Sequence, residues 1–522
     1  MNISEPEHRN HAILVILDGW GRGPHDLSNP LAEAHLPTIN YLEAHYPSGS
    51  LQASGIAVGL PWGEVGNSEV GHLTLGAGRV LYQHYPRITM AIRDGSFFQN
   101  PALLGAINHV SQYQSKLHVV GILTSGTVHG AFEHIVALAM LAKQHGITRV
   151  YFHPFGDGRD GPPEGGLDLM KQLQERLNEI GVGKIATTCG RYYGMDRDGH
   201  WDRTQQAYEL LTTGKGTYAP TLDDAFRSTY AQHLTDEFVP PYTFLPPEEH
   251  GIIEDNDAVI FTDFREDSIR QIATPFALPE FHEFNAHIPT NCYVATFTEY
   301  KKTFTAHVAF PTELITTSVS KAVSDAGKTQ LKIAETDKYA HVTYFFNGFR
   351  DTPFPHEDRI LVPSNNLTAK ESAPNFKAPE ITERCLAALQ ESQYDLIVIN
   401  YANADLIAHA GEFDLARQSA EVLDAQLQQL VAAVEKRPDT YLIITADHGN
   451  VENVRDAYTG EPKTKHDPNP VPIYIVNMAF AGTPAQLGTG ILSDVAPTLL
   501  SILAIPIPKE MTGKNLLTAI LP

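Results

Sequence analysis

The sequence predicts an α/β protein in which a mostly parallel sheet carries a cluster of metal-type ligands and is interrupted by a second, inserted α/β domain. Two observations carry that expectation. Apolar runs of strand length alternate with helix-like stretches along the chain, the mark of α/β architecture. Three of those runs also end in ligand-type side chains: Ile13 to Leu17 delivers Asp18, Leu396 to Asn400 leads to Asp405 and His409, and Tyr441 to Thr445 leads to Asp447 and His448. Ligands of open α/β sheets bind outside the carboxyl ends of the strands. Three tipped runs therefore point to one shared site.

Taken in order, the elements divide the chain as follows. The segment Met1 to His11 is polar and acidic, without the basic flank and apolar stretch of a signal peptide. After the first strand comes the glycine-rich loop Gly63 to His72, which enters a helix at Ser68. Residues 79–310 hold their own alternating units, with strand-like runs at Leu117 to Leu123, Arg149 to Phe152, Lys184 to Thr188, Ala258 to Phe261 and Cys292 to Phe297, and a helix over Glu164 to Ile180. Gly and Pro punctuate the pattern at Gly76-Ala77-Gly78 and Phe310-Pro311-Thr312. The expected organisation is a discontinuous metal-binding domain, 1–78 with 311–522, and an inserted substrate-binding domain, 79–310. Two adjacent linkers make a natural hinge, and closure about it would seal an active site.

Bulk properties bound the function. A length of 522 residues suggests more than one core, and 42% apolar with 19% charged residues is a globular composition. A formal charge of −23 speaks against nucleic acid, which needs a basic face. An anionic substrate must then be met by arginines gathered locally against the global field. No run reaches the roughly 18 apolar residues of a membrane span. The three scattered cysteines read as reduced thiols, so a cytoplasmic protein without membrane partners is expected.

The ligand types narrow the chemistry. Asp405 and His409 are four residues apart and share one helix face, though such a pair alone is usually a surface interaction. Asp447 and His448 diverge at a strand's end, and His466 lies in a loop before the strand Val471 to Val476. Three carboxylates and three imidazoles without thiolate suit Mn²⁺ or Zn²⁺. Six protein ligands exceed one open ion but fit two ions about 3.5–4 Å apart, the arrangement used for in-line phosphoryl displacement. On the loop alone two readings of Ser68 stand: a helix cap, or a hydroxyl activated by metal to attack phosphorus, with Asn67 donating to the phosphoryl oxygens.

Several stretches carry a resemblance. The loop GNSEVGH at 66–72, DGRD at 157–160, RYYGMDRD at 191–198, AETDKYAHVT at 334–343, NYANAD at 400–405, TADHGN at 445–450 and EMTGK at 510–514 together resemble the cofactor-independent phosphoglycerate mutases. The resemblance spans about residues 11–515. It implies an alkaline-phosphatase-like domain that holds two divalent ions, manganese by expectation, interrupted by a transferase-like domain. It implies that Asp405, His409 and His466 hold one ion, and that Asp18, Ser68, Asp447 and His448 hold the other. Ser68 would be the phosphorylated nucleophile. Substrate contacts would come from His129, Arg159, Asp160, Arg191, Arg197, Arg265 and Lys338, with Lys338 also acting on the leaving alkoxide. Arginine's bidentate geometry suits the carboxylate and phosphate of such a substrate.

The implied activity is interconversion of 3-phosphoglycerate and 2-phosphoglycerate in glycolysis and gluconeogenesis, by a monomer and without 2,3-bisphosphoglycerate. Two departures bear on it. Where the family reads Phe-Arg-x-Asp-Arg, this chain has Phe264-Arg265-Glu266-Asp267-Ser268, which removes a substrate arginine. Arg270 points roughly 200° away along a helix and is no obvious substitute. The segment Thr124 to Ala131 keeps His129 but lacks an Asp and a second His common around it. A phosphatase, or a mutase for another sugar phosphate, is the rival these changes motivate; a non-catalytic binding protein is the second rival.

Overall fold

A computed structural model of the chain describes residues 10–520 apart from 247, 248, 250, 279, 366 and 367, so most of the Met1 to His11 segment lies outside the described residues. It divides into two compact units, 1–83 with 314–522, and 84–313. No described helix is long and apolar enough to cross a membrane.

The first unit is built on an eight-stranded sheet. Its order is Glu357–Val362, Gln330–Glu335, Leu396–Tyr401, His11–Leu17, Thr440–Thr445, Val471–Val476, Ser48–Gln52 and Gln486–Ile491. Only Val471–Val476 runs against the others, pairing antiparallel with both neighbours. The α/β class with mostly parallel pairing is thus what the structure has. The central strand His11–Leu17 is buried along its whole length. A strand covered on both faces needs no polar alternation, which is why its sequence reads as an unbroken apolar run. Each of Ile13, Leu14, Ile16 and Leu17 is at most 1% exposed, worth roughly 1.5–3 kcal/mol apiece against exposure.

Strand direction places the chemistry. Asp18, Asp405, Asp447 and Lys338 all follow the carboxyl ends of parallel strands. His466 precedes the one reversed strand, so it reaches the same edge from the opposite direction.

The second unit has a nine-stranded sheet whose main path runs His307–Val308, Tyr293–Thr296, Ala258–Phe261, Leu117–Leu123, Val150–Gly156, Thr187–Gly190, Tyr242–Thr243 and Thr217–Tyr218, with Lys184–Ile185 beside Val150–Gly156. Its pairs are parallel except Thr187–Gly190 with Tyr242–Thr243. The run expected as one strand over Lys184 to Thr188 is two short ones, and the helix expected from Glu164 begins at Gly166. His129, Arg159, Asp160, Arg191 and Arg265 all lie in the segments that leave carboxyl ends of this sheet.

Candidate active site

In the first unit, the helix Ser68–Ala77 starts where the loop reading placed it, but its cap is Asn67, whose Oδ1 accepts from the Val70 amide at 3.0 Å. Ser68 is therefore relieved of capping. Its hydroxyl donates to Asp18 Oδ1 at 3.1 Å, lies 3.0 Å from His448 Nε2 and receives a hydrogen bond from Lys338 Nζ at 2.8 Å. Gly71 lets this helix lie flush on the Thr440–Thr445 strand end, because a Cβ there would stand 2.5 Å from the Asp447 carbonyl oxygen.

Lys338 is not a surface lysine. It is buried, on the short helix Thr336–Ala340, and donates to Asp18 Oδ1 at 2.5 Å and Asp405 Oδ2 at 2.7 Å as well as to Ser68. Burial alone would pull the ammonium down, but the carboxylates of Asp18, Asp405 and Asp447 outweigh it and hold Lys338 above its ordinary range. Burial also works against the charge on Asp405, yet Lys338 keeps that carboxyl well below its usual value. Asp18 is pushed up, by burial first and by the Asp447 charge next.

Two clusters of donor atoms share this edge. Asp405 Oδ1, His409 Nε2 and His466 Nε2 stand 3.1–3.4 Å from one another. His448 Nε2 lies 3.5 Å from Asp447 Oδ2, 3.7 Å from Asp18 Oδ1 and 4.0 Å from Asp405 Oδ1, so it faces both sets. Asp18, Asp447 and His448 are wholly buried, whereas His409 is exposed.

The chemistry of this donor set fits divalent cations. Each of the three imidazoles turns Nδ1 to a backbone carbonyl: His409 to Thr464 at 2.9 Å, His448 to Gly449 at 3.2 Å and His466 to Gly66 at 2.7 Å. An Nδ1–H donated there leaves Nε2 as a bare lone pair directed into the site, the state of a metal-bound histidine. The Nε2 atoms of His409 and His466 converge to 3.1 Å, the spacing of two ligands of one ion. Asp447 Oδ2 is also buried, with His72 Nδ1 at 3.2 Å and His448 Nε2 at 3.5 Å beside it.

A supporting layer went unforeseen in the sequence. Asn400 Nδ2 donates to Asp18 Oδ2 at 2.7 Å and lies 3.0 Å from His72 Nε2, while Asn450 Nδ2 donates to Asp405 Oδ1 at 2.8 Å. All three residues sit inside the quoted motifs. Their polarity at strand and helix termini was the available signal.

In the second unit, His129, Arg159, Asp160, Arg191, Arg197 and Arg265 line a cavity of about 280 Å³. Arg191 is buried and pairs with Asp157 Oδ1 at 2.7 Å and Asp160 Oδ2 at 3.1 Å. Arg197 and Arg265 converge on Asp267 Oδ2 at 2.8 and 3.2 Å, and Arg159 pairs with Glu237. Burial and then the Arg191 charge push His129 below its ordinary value. Ser268 lines the same wall. Arg270 does not; its Nε donates to the Tyr300 carbonyl at 2.6 Å. The sequence reading passed over Arg203 and Asp196, which also line the cavity.

Comparison with known proteins agrees with this picture. Residues 88–302 match the family described as BPG-independent PGAM N-terminus. The 2,3-bisphosphoglycerate-independent phosphoglycerate mutase of Moorella thermoacetica is 43% identical, over 97% of this chain and 98% of its own length. The enzyme named 2,3-bisphosphoglycerate-independent phosphoglycerate mutase 1 from Methanosarcina acetivorans is 43% identical over 98% and 99%. Among solved structures, phosphoglycerate mutase of Leishmania mexicana, crystallised at low cobalt concentration, is 28% identical with a TM-score of 0.50, covering 97% of both chains. Fold, site and likeness together define an isomerase of the phosphotransferring kind. The chain belongs to the 2,3-bisphosphoglycerate-independent phosphoglycerate mutases.

Proposed function

We propose that the chain interconverts 3-phosphoglycerate and 2-phosphoglycerate, in glycolysis and gluconeogenesis, by passing the phosphoryl group through Ser68. The observation that carries this reading is the Ser68 hydroxyl, buried and within 3.1 Å of Asp18, His448 and the Lys338 ammonium. Asp405, His409 and His466 would hold one divalent ion, and Asp18, Asp447, His448 and Ser68 the other, with manganese the metal we favour. Such ions, when bound, supply positive charge to the serine and phosphoryl oxygens.

Ser68 would enter the step ionised, its proton lost to solvent as the site is loaded, and its Oγ forms the new bond to phosphorus as the bond from phosphorus to the substrate's C3 oxygen breaks. The Lys338 ammonium gives a proton to that departing oxygen, leaving phosphoserine and glycerate. The second transfer reverses these steps onto the C2 hydroxyl. To the inserted unit, 84–313, the reading assigns recognition of the glycerate: Arg159, Arg191, Arg197 and Arg265 for its anionic groups, with His129 and Asp160 for its hydroxyls. Water must be kept from the phosphoserine, since hydrolysis would turn the mutase into a phosphatase.

The test is a coupled assay of the manganese-loaded protein with 3-phosphoglycerate. Formation of 2-phosphoglycerate, abolished in Ser68→Ala, is the expected result. Ser268 in place of the family's arginine favours a second reading, hydrolysis. Inorganic phosphate released without 2-phosphoglycerate would establish that instead.

A further inference from the structure

We propose that Arg203 is a substrate-binding residue of the inserted unit, supplying the guanidinium that Ser268 leaves out. The inference rests on the mutase reading and deepens it, by naming the residue that completes the anion-binding wall.

The reach of Ser268 into the cavity is short. Ser268 is 3% exposed and lines the 280 Å³ cavity, and its hydroxyl reaches no farther than Asp267 Oδ1 at 3.3 Å. The neighbouring guanidinium along the same helix does not line the cavity, because Arg270 is turned to Tyr300 and to Glu266 at 3.5 Å.

Arg203 comes to that wall from a different helix, Trp201–Thr213. Gln271 fixes the two helices at this point. It lies three residues beyond Ser268 on the helix Glu266–Ala277, hence on the same face. Its Nε2 donates to Thr204 Oγ1 at 2.6 Å and to Asp196 Oδ1 at 3.1 Å. The turn that carries Arg203 is thereby held against the turn that carries Ser268. The guanidinium carbon stands 4.1 Å from the Tyr192 ring centroid, and stacking of this kind holds the planar fork without using its donors.

Most of its donors also stay free. Arg203 Nη1 donates to Asp196 Oδ2 at 3.2 Å, the one hydrogen bond of its guanidinium among the described residues. Asp196 already accepts from the Asp198 and His200 amides, from His200 Nδ1 and from Gln271. A guanidinium has five N–H donors, so most of the fork is left for an anion. Arg159, Arg191, Arg197 and Arg265 are paired in the same manner, with Glu237, Asp157, Asp160 or Asp267. The ligand group that suits the Arg203 fork is a carboxylate or a phosphate monoester, the two anionic groups of a phosphoglycerate.

The experiment is steady-state kinetics with 3-phosphoglycerate on four forms: the wild type, Arg203→Gln, Arg203→Lys, and the double variant Arg203→Gln with Ser268→Arg. Glutamine keeps a donor for Asp196 and a stem over Tyr192 while removing the charge. The KM of Arg203→Gln is expected to rise roughly ten- to a hundredfold, the worth of a charge-assisted hydrogen bond, with kcat within about threefold. Arg203→Lys is expected to fall between it and wild type, as a charge without the fork. The double variant is expected to recover most of the lost affinity, which no merely structural role of Arg203 in anchoring Asp196 would permit. An unchanged KM in Arg203→Gln, or a folded double variant no better than Arg203→Gln alone, overturns the assignment. A wild type that makes no 2-phosphoglycerate would instead overturn the mutase reading on which it rests.

Discussion

Replacing Lys338 by methionine should separate the two jobs proposed for its ammonium. In the metal-free protein that ammonium is the lysine among three buried carboxylates, at 2.5 Å from Asp18 and 2.7 Å from Asp405, with 6% of its side chain exposed. Removing one partner of a buried ion pair costs roughly 3–5 kcal/mol, because the other charge is left uncompensated. For domains of a few hundred residues this corresponds to a fall of roughly 5–15 °C in the unfolding temperature. On the proposed reading divalent ions bind these carboxylates in the folded state only, so saturating manganese should restore most of the lost stability by linkage. It should not restore turnover, since loss of a positioned proton donor lowers kcat by about 10²–10⁴. Thermal unfolding of chelated and manganese-loaded Lys338→Met, beside the coupled mutase assay, reads both effects. A chelated variant as stable as wild type, or a loaded variant within threefold of wild-type kcat, would refute this account of Lys338.

Other expectations follow from particular contacts. Lys332, wholly buried with Nζ 2.9 Å from Ser320 Oγ, is pushed by burial down to about 7. Its folded form binds fewer protons than the unfolded chain between pH 7 and 10.5, so Lys332 itself contributes a rise in stability of about 1.4 kcal/mol per pH unit there, while the thiols of Cys189, Cys292 and Cys385, pushed up by burial, act in the opposite sense above about pH 9. Lys332→Met should flatten that rise in unfolding experiments at pH 7, 8 and 9; an identical slope would contradict it. Arg270→Ala should leave KM for 3-phosphoglycerate within about twofold, since its fork serves the Tyr300 carbonyl, an exposed pair with Glu266 being worth little. Gly71→Ala should lower manganese affinity, measured by titration calorimetry, by pushing the Ser68 helix off Asp447, where a Cβ would stand 2.5 Å from the carbonyl oxygen. Unaltered affinity would show that the helix yields without cost.

How far the sequence could be read depended on whether the cause was local. Strands that end in Asp18, Asp405 and Asp447 were legible because a fully buried parallel strand is an unbroken apolar run, and its polar successor marks the sheet edge. His466 was harder: only the reversed direction of Val471–Val476 brings it to that edge, and direction is a tertiary property. The capping role went to Asn67 instead of Ser68, a one-residue difference that neighbouring Asn and Ser cannot announce. Punctuation by Gly and Pro put the chain crossings at 78/79 and 310/311, whereas the contacts divide the units at 83/84 and 313/314, because the chain beyond the helix cap at Gly78 still packs with the first unit, as in the Gln83 amide bonded to Gly59. Arg203 was invisible for a different reason. Its place beside Ser268 depends on Gln271 joining two helices some 65 residues apart in sequence, and no periodicity encodes that.

The central claim is that the Ser68 hydroxyl carries the phosphoryl group between the two oxygens of glycerate. A rapid-quench single turnover of the manganese-loaded enzyme with 3-phosphoglycerate labelled at phosphorus, followed by peptide mapping, tests it directly. Label on the peptide bearing Ser68, appearing before 2-phosphoglycerate and discharged as it forms, is the predicted result. Turnover to 2-phosphoglycerate with no label on protein at any time, or with full activity in Ser68→Ala, would contradict it.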